Sequence, residues 1–113
     1  MEADMFEESE VREATLEYFK GDELATNVFM TKYCLRDKKG NFVEKTPEDM
    51  HRRLSAEFAR MEDKFITRKS NHLTEESIYT YLKDFKYIVP QGSPMMGIGN
   101  DYVNVSLSNC VVV

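Results

Sequence analysis

The last eleven residues of the chain place the strongest constraint on its fold. The segment 103–113 reads Val-Asn-Val-Ser-Leu-Ser-Asn-Cys-Val-Val-Val, in which apolar and β-branched residues are dense. A run of this kind predicts a strand buried on both faces, as in a parallel sheet or barrel. Such a strand needs neighbours, because natural proteins avoid a bare apolar edge. No other segment has comparable strand character, so we expect either that another chain supplies the sheet or that this chain is a fragment.

Most of the preceding sequence predicts helices. Apolar residues recur at spacings of three and four through the segment 7–85, which is typical of amphipathic helices. Gly21 is placed to end a first helix, and Asp22 to cap a second. A turn with positive φ at Gly40 or Asn41 should follow, between short extended pieces.

The third helix has the clearest start signal. Thr46 is a good N-cap, and Pro47 suits the first helical position, where a missing N–H costs nothing. The apolar stripe of this helix comprises Met50, Leu54, Phe58, Met61 and Phe65. Thr74 opens a fourth helix in the same way, and its apolar side comprises Ile78, Tyr81, Leu82 and Phe85.

The character of the chain changes after Phe85. Residues 87–94 are predicted to be extended and rich in turns, because Pro90 and Pro94 both disfavour helix. A glycine-containing loop should occupy residues 95–101. We therefore divide the chain into a helical domain, residues 1–85, and a second part, residues 86–113, that holds a connecting loop and the strand.

Composition limits the classes of function. A chain of 113 residues forms one domain at most, and its net charge is −5. Nine acidic residues lie within the first 24, which argues against binding a nucleic-acid backbone. No stretch approaches the roughly 18 apolar residues of a membrane span, and no secretory signal is recognisable. Two distant cysteines and no disulfide framework favour a reducing, cytoplasmic compartment.

Several reactive residues are better explained by packing than by chemistry. His51 is predicted to be exposed on the third helix, and His72 to lie in an interhelical turn. Neither has partners at metal-ligand spacing, so no metal site is predicted in this segment. Cys34 should lie in the core, and the pair Met95 and Met96 should pack beneath the loop.

Two stretches carry short motifs in a distinctive order. The segment Phe85–Asn100 contains a Ser-Pro pair and a short loop, and Ser-Leu-Ser-Asn-Cys follows at 106–110. Earlier, the segment Lys32–Leu54 contains a Lys-Tyr pair, an Asp-Lys-Lys-Gly turn and a Glu-Lys-Thr-Pro-Glu helix start. In this order and spacing, these motifs resemble the large subunit of ribonucleotide reductases over residues 28–113. The first stretch resembles the approach to the catalytic barrel, and the second resembles the family's N-terminal helical region.

This resemblance implies a fold and an activity. The fold would be a mainly α N-terminal domain followed by the first strand of a ten-stranded α/β barrel, incomplete in this chain. The activity would be the reduction of ribonucleotides to 2′-deoxyribonucleotides by thiyl-radical chemistry, for DNA synthesis. We expect the chain alone to be inactive, as the product of a split gene or as a truncated piece; we favour the split gene.

The resemblance also implies roles for three residues. Cys110 would belong to the redox-active cysteine pair that reduces the substrate, closes into a disulfide and is reset by an external dithiol. Ser93 and Asn109 would bind the ribonucleotide substrate.

The same resemblance implies partners and cofactors of the complete enzyme. No cofactor would be bound by this segment. The complete enzyme would need a radical source, either a metal-bearing small subunit or adenosylcobalamin. Its other partners would be the remainder of the barrel, as a separate chain if the gene is split, and a second copy of the complete subunit.

A different class of function is also compatible with the sequence. The chain could be a small acidic helical interaction module whose apolar C-terminal segment adds a strand to a partner's sheet. In that case no nucleotide would be needed, and substitution of Cys110 would leave partner binding unchanged.

Overall fold

The computed structural model describes residues 5–65 and 73–102. These residues are mainly helical, as predicted, and the strand predicted for residues 103–113 lies outside them. The elements are α1 (Glu8–Tyr18), α2 (Glu23–Val28), a π-helical turn (Phe29–Tyr33), α3 (Pro47–Phe65), α4 (Glu75–Leu82), a 3₁₀ turn (Lys83–Phe85) and α5 (Gly92–Gly97). Within the described ranges, no helix has the length and apolar character needed to cross a membrane.

Helix boundaries follow local capping chemistry. The chain turns at Gly21, and the Asp22 side chain then accepts a hydrogen bond from the Ala25 N–H at 3.1 Å. The hydroxyl of Thr74 accepts from the Ser77 N–H at 3.2 Å, and the Ser77 side chain accepts from the Thr74 N–H in return. These contacts satisfy N–H groups that a helix start leaves without partners. The predicted starts of α2 and α4 are therefore confirmed.

The segment between the π-helical turn and α3 is a tight reversal, as predicted. The Asp37 carboxylate accepts hydrogen bonds from the N–H groups of Lys39 and Asn41, both at 2.9 Å. Gly40 takes the positive φ, and Phe42 pairs with Arg36 on the opposite side of the turn. This reversal brings Val43 and Glu44 back alongside Cys34 and Leu35.

Helix α3 packs along α4 and against the 3₁₀ turn. Met50 and Leu54 on this helix are completely buried. The buried apolar residues are Val11, Phe29, Met30, Cys34, Phe42, Met50, Leu54, Ile78, Leu82 and Met95. The core position predicted for Cys34 is confirmed. Met95, predicted to pack beneath a loop together with Met96, is buried on α5, whereas Met96 is partly buried. The apolar stripe of α3 is less buried further on, since Phe58 and Met61 are 41% and 37% exposed.

His51 was predicted to be exposed, and that prediction is wrong. Its side chain is fully buried, and neither ring nitrogen has a hydrogen-bond partner among the described residues. The cause is the turn after α4, where Asp84 and Phe85 both adopt positive φ. This turn folds the Phe85 ring back over α3, where its centroid lies 4.7 Å from that of His51. A hydrogen bond of 2.8 Å from the Tyr18 hydroxyl to Asp84 holds the turn in place.

The prediction that Pro94 prevents a helix is also wrong. Pro94 is the third residue of α5, within the first turn. N–H groups in the first turn of a helix have no intrahelical acceptor, so a proline there costs no hydrogen bond. Residues 92–97, predicted as a turn and a loop, therefore form a short helix.

The buried His51 generates a prediction about stability. Burial lowers the pKa of His51 from 6.5 to about 4, against a smaller opposing effect of Asp84. Between these pH values, His51 is protonated in the unfolded chain but stays neutral in the folded chain. The contribution of neutral His51 to the free energy of unfolding should thus be fully present above pH 6.5 and should be lost as the pH falls towards about 4.

Urea unfolding of the wild type and of His51→Leu tests this. The wild type should lose roughly 2 kcal/mol more than the variant between neutral pH and about pH 5, because Leu cannot titrate. An identical pH dependence in the two proteins would contradict the assignment.

Candidate functional site

A buried ion pair joins Arg53 on α3 to Glu44, in the segment that precedes α3. Arg53 Nε donates to Glu44 Oε2 at 2.8 Å, and the two side chains are only 8% and 5% exposed. The second Glu44 oxygen accepts from the Leu35 N–H at 3.0 Å. Both carboxylate oxygens therefore have donors, which a buried charge requires.

The remaining donors of Arg53 reach the end of α5. Its Nη2 donates to the Met95 carbonyl at 2.7 Å, and its Nη1 donates to the Ile98 carbonyl at 2.6 Å and the Met96 carbonyl at 3.3 Å. A helix leaves its last carbonyls without partners, and a cation there is electrostatically favourable. Arg53 thus fastens residues 92–101, which we call the docked segment, to α3. We call helices α1 to α4 the helical core.

Two glycines mark where the docked segment touches the helical core. A Cβ added at Gly92 would lie 3.0 Å from the Tyr33 ring. A Cβ added at Gly99 would lie 2.9 Å from Arg53 Cγ, and Gly99 also has a φ of +75°. A larger residue at position 99 would thus meet both a steric and a conformational cost. Close packing of the segment therefore favours glycine at both positions.

The structure places one of the three predicted site residues. Ser93 lies in the first turn of α5, next to Gly92, and is partly buried. Asn109 and Cys110 lie outside the described residues, so their positions relative to Ser93 stay predictions.

An open cleft of about 470 Å³ runs between the docked segment and the second half of α3. Its apolar lining includes Phe58, Met61 and Ile98, and its polar lining includes Asn100 and Asp101. In the described part of the chain, no three His, Cys, Asp or Glu side chains are grouped as metal ligands.

Cys34 is unsuited to thiol chemistry. It is 6% exposed, and its Sγ donates to the Glu44 carbonyl at 3.2 Å. Burial is the main cause that raises the pKa of this thiol to about 12, and the charge of Glu44 adds to it. Because the thiolate is the reactive species, Cys34 is a structural residue.

Sequence reasoning missed Glu44 and Arg53. The available signal was the position of Arg53, three residues after Met50 and directly before Leu54 on the buried side of the third helix. A charged residue at such a position requires a buried partner. The sequence does not say which acidic residue or which carbonyls supply it.

These features define a class of protein: a helical domain that anchors a following segment through a buried arginine. The family model described as "ribonucleotide reductase, all-alpha domain" matches residues 19–101. The chain therefore belongs to this family, which confirms the resemblance of its N-terminal region to the large subunit. The match begins after α1, covers α2 to α4 and the docked segment, and ends before Asn109 and Cys110. Searches of curated proteins and of solved structures found no match.

Family membership also indicates the class of enzyme to which the chain belongs. It associates the chain with an oxidoreductase family and with deoxyribonucleotide biosynthesis. It also implies that the chain works within the multi-part assembly usual for such an enzyme.

Substitution of Arg53 should be much more damaging than substitution of its neighbour. Arg53→Met leaves Glu44 buried without its partner, so the free energy of unfolding should fall by about 3 to 5 kcal/mol. Arg52→Met is the matched control, because Arg52 lies on the same helix but pairs with Glu76 at the surface. Exposed pairs contribute little, so this control should change stability only slightly. Equal losses in urea unfolding would contradict the central role of Arg53.

The burial of Cys34 predicts slow alkylation. In Cys110→Ser, Cys34 is the single remaining thiol, since the sequence contains two cysteines. Iodoacetamide at about pH 8 should modify it far more slowly in the native chain than in concentrated urea. Similar rates in the two conditions would show that the thiol is accessible.

Proposed function

We propose that this chain supplies the helical domain and the first barrel strand of a ribonucleotide reductase large subunit. The observation that carries the proposal is the family match over residues 19–101, which includes α2 to α4 and the docked segment. The structure adds a physical link between the two, because Arg53 joins them directly. An interaction module would give no reason for the Ser-Leu-Ser-Asn-Cys motif at residues 106–110, just after the matched range.

In the proposed reaction, hydrogen replaces the 2′-hydroxyl of the ribose. A thiyl radical on a cysteine elsewhere in the enzyme removes the 3′-hydrogen and returns it at the end. Cys110 and a second cysteine donate two electrons and two protons, the hydroxyl leaves as water, and the two sulfurs join in a disulfide. An external dithiol then reduces this disulfide by thiol–disulfide exchange.

Ser93 and Asn109 are proposed to hold the ribonucleotide. Ser93 lies partly buried in the first turn of α5, in a segment that Arg53 fixes to α3, and this fixed position supports the role. Precise placement matters for binding groups, since a displacement of about 1 Å can reduce a rate roughly 100-fold.

The second reducing cysteine must come from another part of the enzyme. Cys34 is the only other cysteine in the sequence, and it is buried against Glu44. The radical source, either a metal-bearing small subunit or adenosylcobalamin, would likewise bind outside this segment and supply the initiating radical. We therefore propose that the chain acts with the remainder of the barrel and, in the complete enzyme, with a second large subunit.

A cysteine substitution tests the proposal. The assembled enzyme that contains this chain should convert ribonucleotides to deoxyribonucleotides with a dithiol as reductant, in assays with diphosphates and with triphosphates. Cys110→Ser should reduce this turnover to the level of a reaction without enzyme, because one electron donor is missing.

Cys34→Ala is the matched control and should retain turnover, since that thiol is structural. Normal turnover in Cys110→Ser would contradict the role of Cys110. Absence of turnover in the wild-type assembly would contradict the proposed function itself.

A further inference from the structure

The docked segment needs support from outside itself. Helix α5 has six residues, and an isolated helix of that length is not stable in water. Of the apolar residues in α5, only Met95 is buried. The position of Ser93 therefore depends on contacts with the helical core.

Arg53 provides these contacts with a fixed geometry. Three carbonyls near the end of the segment, those of Met95, Met96 and Ile98, converge on the two terminal nitrogens of one guanidinium. The guanidinium is planar and its donors have fixed directions, so one orientation satisfies all three carbonyls. Lysine has the same charge, but a single nitrogen cannot occupy these separated positions.

The ion pair fixes the orientation of this guanidinium relative to the rest of the core. Glu44 fixes the Nε edge of the guanidinium at 2.8 Å, and Glu44 is itself fixed by the Leu35 N–H. Gly99 then packs directly on Arg53 Cγ, and Gly92, next to Ser93, packs on the Tyr33 ring. The docked segment is thus held near both of its ends.

We propose that Arg53 is a positioning residue of the reductase, which acts through the docked segment to place Ser93 against the ribonucleotide. This inference rests on the proposed function. It assigns a substrate-positioning role to the helical domain.

The first part of the test uses the full chain and requires no activity. Amide hydrogen exchange reports the N–H groups of Ile98 and Asn100, which bond to carbonyls within the segment, and that of Ile78 in α4. In Arg53→Lys, exchange at Ile98 and Asn100 should accelerate at least about 10-fold while Ile78 stays protected, since local opening differs from global unfolding. Arg52→Lys, the matched control, should leave all three amides unchanged. Unchanged exchange at Ile98 and Asn100 in Arg53→Lys would overturn the proposal.

If Arg53→Lys also exposes Ile78, Gly99→Ala decides the question. This variant keeps the ion pair and perturbs the segment at Gly99, through its contact with Arg53 Cγ and through its positive φ. Accelerated exchange confined to the segment supports the proposal, and unchanged exchange there overturns it.

The second part uses the assembled enzyme. For Arg53→Lys, kcat/KM should fall roughly 10- to 100-fold, mainly through a higher KM for the ribonucleotide, because Ser93 is misplaced. Arg52→Lys should match the wild type. A loosened segment with an unchanged kcat/KM would overturn the positioning role. A wild-type assembly without reductase activity would instead overturn the proposed function, and the exchange experiment would still report the contact itself.

Discussion

The ion pair between Glu44 and Arg53 is the interaction on which the described structure depends. Taking two charges out of water costs several kcal/mol for each ion, so such a pair persists only when its remaining hydrogen-bonding groups are satisfied. Here the carboxylate binds Arg53 and the Leu35 N–H, and the guanidinium binds three carbonyls of the docked segment. Of the ion pairs in the described ranges, it is the one with both side chains under one tenth exposed. The pair therefore connects the turn region, α3 and α5 at a single point.

Two ionisable side chains buried on helix α3, Arg53 and His51, are accommodated in opposite ways. Arg53 stays charged and is surrounded by acceptors, whereas His51 has no hydrogen-bond partner among the described residues and is held neutral. The cost at His51 accompanies a turn with positive φ at Asp84 and Phe85. Departures from ideal packing often accompany functional constraint, and the His51 side chain lies on the helix that supports the docked segment.

Local chemistry made much of this fold predictable from the sequence. The caps at Asp22 and Thr74 and the turn at Gly40 depend on residues within four positions of one another. The missed features depend on distant residues: Arg53 meets Ile98, 45 positions later, and His51 is covered by Phe85. The site residues Asn109 and Cys110 were proposed from motif resemblance, and they stay predictions because they lie outside the described residues.

A double-mutant cycle on Glu44 and Arg53 tests the central claim most directly. The unfolding free energies of Glu44→Gln, Arg53→Met and the double variant would be measured by urea unfolding at neutral pH. Each single variant leaves a buried charge without its partner, whereas the double variant removes both charges. The account predicts that the double variant loses much less stability than the sum of the single losses, by at least about 1.5 kcal/mol. Losses that simply add would contradict it, because they would show that the two residues stabilise the structure independently.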